Sequence, residues 1–105
     1  MSEGKKGLQK PGPGDRLRRL PDIAWRKVGE ETILVNVKQD EVMQLDSVGS
    51  FIWSRLSGDE TLRDIAESLV GEFAVGMETA LEDTLEFAAS LVDRGVAKII
   101  EAGRS

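Results

Sequence analysis

From Ile23 to Leu45 the apolar residues alternate with polar ones or run in β-branched stretches, and from Ser47 onward they recur every three or four positions. A period of two belongs to a half-buried strand, and a period near 3.6 to an amphipathic helix. Ile33, Val35 and Val37 alternate with Leu34 and Asn36, which predicts a strand. A strand near Ala24–Val28 precedes it, with Gly29-Glu30-Glu31 as the turn. Lys38-Gln39-Asp40 then turns the chain into a third, short strand, Val42-Met43-Gln44-Leu45. The expected product is a three-stranded antiparallel meander.

The helical half opens at Asp46 or Ser47, either of which can cap a helix carrying Val48, Phe51, Ile52 and Leu56 at core spacing. Ser57-Gly58-Asp59 ends it. Thr61-Leu62-Arg63-Asp64 reads as a capping box with Asp in the acidic position, opening a second helix striped by Leu62, Ile65, Ala66, Leu69 and Phe73. Ala74-Val75-Gly76 interrupts the pattern, and a third helix follows from about Met77 to Arg94. Gly95 stands where a left-handed C-terminal cap belongs. Val96 to Ile100 reads as a short closing strand. Strands followed by three helices predict an α+β fold of winged helix-turn-helix type.

The third helix has more apolar surface than one contact needs. At about 100° per residue, Met77, Ala80, Thr84, Phe87 and Leu91 form one stripe, and Leu81, Leu85, Ala88 and Val92 form a second beside it. Together they span roughly 160°, against the ~100° of an ordinary surface helix. Two readings follow from the pattern: a helix wedged deeply into the core, or one core stripe with a second lining a groove.

Residues 1–21 look different. Gly4, Gly7, Pro11, Gly12, Pro13, Gly14 and Pro21 punctuate them and apolar periodicity is missing, so they read as a disordered basic tail ahead of a domain spanning 22–101. A chain starting near Pro21 is expected to keep its melting temperature. Six basic side chains (Lys5, Lys6, Lys10, Arg16, Arg18, Arg19) against Glu3 and Asp15 give residues 1–20 a charge of +4, so the rest carries −9 of the total of −5. So acidic a body repels nucleic-acid phosphates.

Length and composition narrow the chemistry. With 105 residues there is room for one modest core. No Cys and no His are present, which removes thiolate chemistry and the commonest base and metal ligand. Glu78, Glu82, Asp83 and Glu86 crowd the third helix, but they read as a solvated face rather than an acid–base pair. Trp25 and Trp53 read as core or interface residues before they read as stacking platforms. No apolar run is long enough to span a membrane, and charges at the N-terminus lead into no apolar stretch, so a cytoplasmic protein is expected.

An ordered set of short motifs now stands out: Ile33-Leu34-Val35, Leu45-Asp46, Ile52-Trp53, Leu56-Ser57-Gly58, Thr61-Leu62, Asp64-Ile65-Ala66, Phe73-Ala74-Val75, then Asp83, Phe87, Leu91 and Gly95. With its spacings this set resembles the PqqD family over about residues 23–100. Asp46 stands where that family usually has Asn, and Asp64 where it has Glu; both substitutes keep a capping role. Thr84 and Ala88 are smaller than the family's aliphatics.

The resemblance implies a function. Such domains are precursor-peptide recognition elements: peptide chaperones, without cofactor or catalytic residues, that bind the leader segment of a ribosomally made peptide. They present it to a modifying enzyme, often a radical S-adenosylmethionine enzyme, as in pyrroloquinoline quinone biosynthesis. The leader adds as a strand at the sheet edge beside the third helix. By that resemblance the edge strand Val42, Met43, Gln44 and Leu45 pairs with the leader. Leu81, Leu85 and Val92 bury its anchors with Ala88 beneath, and Phe87 stays in the core. The main alternative is a winged-helix DNA-binding regulator, which the acidic second and third helices disfavour. A small enzyme is disfavoured by the missing His and Cys, and an adaptor for a protein other than a leader stays open.

Overall fold

The computed structural model describes residues 10–100. Among them are six strands and three helices: β1 (Arg16–Arg19), β2 (Ala24–Val28), β3 (Glu31–Asn36), β4 (Glu41–Leu45), α1 (Ser47–Ser54), β5 (Ser57–Thr61), α2 (Leu62–Phe73), α3 (Met77–Asp93) and β6 (Ala97–Ile100). The strands form two separate three-stranded sheets, ordered β2-β3-β4 and β5-β1-β6.

The first sheet is the predicted meander. Its pairs run from Ala24↔Val35 to Val28↔Glu31 on one side of β3 and from Thr32↔Leu45 to Asn36↔Glu41 on the other. Paired residues share a face, so Leu34, Thr32 and Asn36, all buried, fix which face meets the helices. Met43 and Leu45 lie on that face; Val42 and Gln44 lie on the outer one.

Local chemistry marks the start of α1 and α2 and the end of α3, whereas α1 stops at Ser54, short of the expected Leu56, and Ser57–Thr61 is strand β5 rather than a loop. The Gly49 N–H donates to Asp46 Oδ1 at 2.9 Å, so Asp46 is the cap of α1. At α2 the reciprocal bonds of the capping box are both made, Asp64 N–H to Thr61 Oγ1 and Thr61 N–H to Asp64 Oδ2, each 3.1 Å. At the end of α3 the Gly95 N–H donates to the Val92 carbonyl and the Val96 N–H to the Leu91 carbonyl, both at 3.1 Å. This double closure needs a left-handed residue, and Gly95 has φ +75°. Val96 and Leu91 are both fully buried, which completes the apolar contact that usually seals such a turn.

The second sheet revises the sequence expectation. Arg16–Arg19 is not tail but the central strand of β5-β1-β6, paired with Ser57–Thr61 on one edge and with Ala97–Ile100 on the other. Leu17 is 0% exposed and belongs to the main core cluster. The segment just before it docks as well: the carbonyls of Asp15 and Pro13 accept the N–H groups of Leu62 and Arg63 at 2.9 Å each, satisfying the first turn of α2. The strand shows no hydrophobic periodicity because only one of its four side chains is apolar. Its pairing is backbone-driven on both edges, which hydropathy does not register. The remainder of the tail expectation, residues 1–9, lies outside the described residues.

Both sheets and all three helices share one core, in which Trp53, Leu17, Leu34, Ile52, Leu56, Leu62, Ile65, Leu69, Leu91 and Val96 are buried. Trp53 is core, while Trp25 meets it edge-on with ring centroids 6.1 Å apart and remains 40% exposed.

Candidate peptide-binding site

β4 is an outer strand, paired only with β3 in its sheet. Its free edge offers backbone donors and acceptors, the ordinary template for another strand. Val42 is 67% exposed on the outer face, and Gln44 is held there by a 2.8 Å bond from its Nε2 to Glu31 Oε1. Met43 is half-buried, and Leu45 is buried and anchors the strand to the core.

α3 is linked to the two ends of this strand. Glu41, the first residue of β4, forms an ion pair with Arg94, the C-cap of α3. Asp46, just past the other end of β4, lines a cleft with Val48, Gly49 and Ile52 of α1 and with Asp83, Glu86, Phe87 and Ser90 of α3. Glu41 to Asp46 as strand covers about 17 Å, and the part of α3 that lines the cleft, Asp83 to Ser90, covers about 10 Å. The cleft holds about 500 Å³, with Val48, Ile52 and Phe87 as its apolar lining.

The local fold explains how Phe87 comes to be there. Its ring lies over Gly49, where a Cβ would stand 3.3 Å from two ring carbons and from Asp46 Oδ1. Glycine at this helical position lets α1 and α3 approach closely enough for the ring to floor the cleft. Asp46 therefore has two roles: its side chain caps α1, and the same carboxylate borders the cleft.

The residues of the third helix divide by burial. Its fully buried line is Ala80, Thr84, Ala88 and Leu91. Phe87, expected on the core stripe, is half-buried, packs against the core and also lines the cleft. Leu81, Leu85 and Val92, expected as groove wall, are half-buried against the core and are not among the cleft residues; Ala88 is buried outright. The reason is angular. At about 100° per residue, Phe87 and Asp83 fall on one flank of the buried line, and Leu81, Leu85 and Val92 fall on the other. The usable signal was the mixture on the first flank, where Asp83 and Ser90 bracket Phe87. Asp83, without a role in the sequence alone, borders the cleft.

Another concave surface, of about 490 Å³, is lined by Ala24, Trp25, Arg26, Val28, Ile33 and Val35. It lies chiefly on the outer face of the meander rather than beside β4. Among the described residues no group of His, Cys, Asp or Glu is arranged to hold a metal ion. Among them, too, no helix is long and apolar enough to cross a membrane.

An open strand thus leads onto the rim of a cleft between two helices. The family model described as coenzyme PQQ synthesis protein D (PqqD) matches residues 31–97, which includes β4 and all of the cleft. The chain belongs to the PqqD family. Solved structures with the same fold include lasso peptide synthetase B1 complexed with its leader peptide, with TM-score 0.71 and 25% identity over 79% of this chain and 98% of that one. TbiB1 in complex with the TbiA(beta) leader peptide is similar at TM-score 0.71 and 22% identity, covering 77% of this chain and 94% of that one. The PqqD truncation of Methylobacterium extorquens PqqCD, solved by NMR and described as a functional, stand-alone RiPP recognition element, has TM-score 0.70 and 17% identity over 88% and 97% of the two chains. Among curated proteins no sequence matches the chain significantly.

Proposed function

We propose that this PqqD-family protein binds the leader segment of a ribosomally made precursor peptide and presents it to a separate modifying enzyme, without catalysing a reaction itself. One observation carries the reading: the free edge of β4 leads at Asp46 onto the rim of a cleft between α1 and α3, with Val48 and Phe87 in its apolar lining, and the Glu41–Arg94 ion pair ties the other end of β4 to α3. A peptide pairing with β4 gains main-chain hydrogen bonds from the edge. Every second side chain then turns toward the helices, where the cleft supplies specificity. The leader complexes of TbiB1 and of lasso peptide synthetase B1 support this assignment.

The site we propose comprises Val42, Met43 and Gln44 on the strand, with Leu45 as its buried anchor. Asp83, Phe87 and Ser90 on α3 and Val48 and Ile52 on α1 complete it. Leu81, Leu85, Ala88 and Val92 support the helix from behind. The partner enzyme is of the peptide-modifying kind, a radical S-adenosylmethionine enzyme in the reading the family suggests, and the place of action is the cytoplasm, where precursor peptides are made. The DNA-binding alternative finds no support in the charge. α3 carries Glu78, Glu82, Asp83, Glu86 and Asp93 with no Lys or Arg, so it repels phosphate.

The test is hydrogen exchange with and without the leader of the precursor encoded beside this reading frame. Amides of Glu41–Leu45 are expected to become protected while those of β2, the opposite edge, do not. Binding that protects β2 alone, or no binding to such a leader, would count against the assignment.

A further inference from the structure

The cleft beside β4 carries charge of one sign. Asp46, Asp83 and Glu86 border it, and no Lys or Arg is among its lining residues. Arg94, the nearest cation along α3, is already paired with Glu41. Among the described residues the ion pairs are Lys38–Asp22, Arg55–Glu60 and Arg94–Glu41, and none neutralises the cleft. Asp46 is partly satisfied by the N–H of Gly49, so Asp83 and Glu86 supply most of the uncompensated field. The three carboxylates do not form a metal-holding group. They are spread around an apolar floor, which suits an extended chain with separated apolar and charged side chains better than a compact ion.

We propose that the peptide this chain selects is cationic at the cleft: an aliphatic or aromatic anchor over Phe87, with a Lys or Arg two positions away. The inference rests on the leader-binding reading and adds to it the class of leader. The spacing follows from strand addition, because side chains two apart point to the same side. The anchor's stem is desolvated against Val48 and Phe87. The cation reaches Asp83 and Glu86 at the rim and passes the negative face of the Phe87 ring. An acidic leader meets the same carboxylates as repulsion, so the cleft discriminates by exclusion as well as attraction.

The experiment selects binders to the full chain from a displayed library of random peptides, then measures synthetic versions by calorimetry and hydrogen exchange. Peptides that protect β4 are expected to be enriched in an apolar-x-basic or basic-x-apolar pattern. Replacing the basic residue by norleucine should weaken binding about three- to tenfold at low salt, and less at high salt. The double variant Asp83→Asn with Glu86→Gln, both at exposed positions, should bind the lysine and norleucine peptides alike. Binders that protect β4 but show no excess of Lys or Arg, or that lose nothing on norleucine substitution, overturn the cationic assignment and leave leader binding intact. Binders that leave β4 unprotected, or no binders at all, overturn leader binding and this inference with it.

Discussion

Phe87 and Gly49 are the pair on which the cleft's shape depends. Phe87 is half-buried, so Phe87→Ala should cost about 1–3 kcal/mol, less than a fully buried Phe, while weakening leader binding severely. Gly49→Ala makes the complementary test. Alanine raises helix propensity by up to about 1 kcal/mol, but its Cβ must displace the Phe87 ring or the Asp46 carboxylate. The expected result is a melting temperature within a few degrees of the wild type together with weaker binding. Unchanged affinity would show that the ring's position is not what the peptide reads. Thr84 is a second informative residue. It is fully buried with its Oγ1 unpartnered among the described residues. Thr84→Val keeps the shape and removes an unpaired hydroxyl, so chemical denaturation should show a gain of about 1 kcal/mol. The sequence pattern placed Thr84 on an apolar stripe with Ala80 and Leu91; that its hydroxyl finds no partner there could not be read without knowing what surrounds the helix.

At the scale of elements, the boundaries that carry a cap were legible because capping chemistry is local, while the end of α1 at Ser54 and the strand β5 after it were not. Asp46, the Thr61–Asp64 box and Gly95 each act within a few residues of themselves, so the sequence that encodes them also displays them. The faces of α3 were less legible, since a broad apolar arc does not say which flank meets solvent. The end of α2 shows a cap the sequence handles poorly. Ala74 takes φ 54°, ψ 43°, a left-handed conformation that costs a residue with a Cβ roughly 1–2 kcal/mol. Ala74→Gly relieves that cost and keeps the Ala74 N–H bond to the Val70 carbonyl, 3.1 Å long. Against it runs the extra chain entropy of glycine in the unfolded state. The net expectation is a gain of about 0.5–1 kcal/mol, read as a rise in the thermal midpoint; a fall would mean that the Ala74 methyl makes a contact worth more than the strain.

The whole molecule depends on a segment that looks dispensable in the sequence. β1 joins Ser57–Thr61 to Ala97–Ile100, two stretches separated by α2 and α3, so it closes the end of the fold. Its neighbours complete the link: Arg19 N–H donates to the Leu56 carbonyl at 3.1 Å, and Leu20 N–H to the Val96 carbonyl at 3.0 Å. Arg19 also sends its guanidinium to the Trp53 carbonyl at 2.8 Å and lies over the Trp25 and Trp53 rings at 5.2 and 5.9 Å. Removing residues 1–20 therefore takes away the middle strand of one sheet, exposes the edges of β5 and β6 and opens a hole where Leu17 sat. Leu17→Ala alone should cost about 2–5 kcal/mol through lost burial and the cavity left behind. For a domain of this size that is a large part of ~5–15 kcal/mol of total stability. The truncated chain should lose its cooperative melt, whereas Leu17→Ala should keep one at a lower temperature. Leu17→Met, close in volume, should stay near the wild type. A chain beginning at Pro21 that melted like the full protein would show that the second sheet contributes little to the fold, and that the helices and the meander hold together without it.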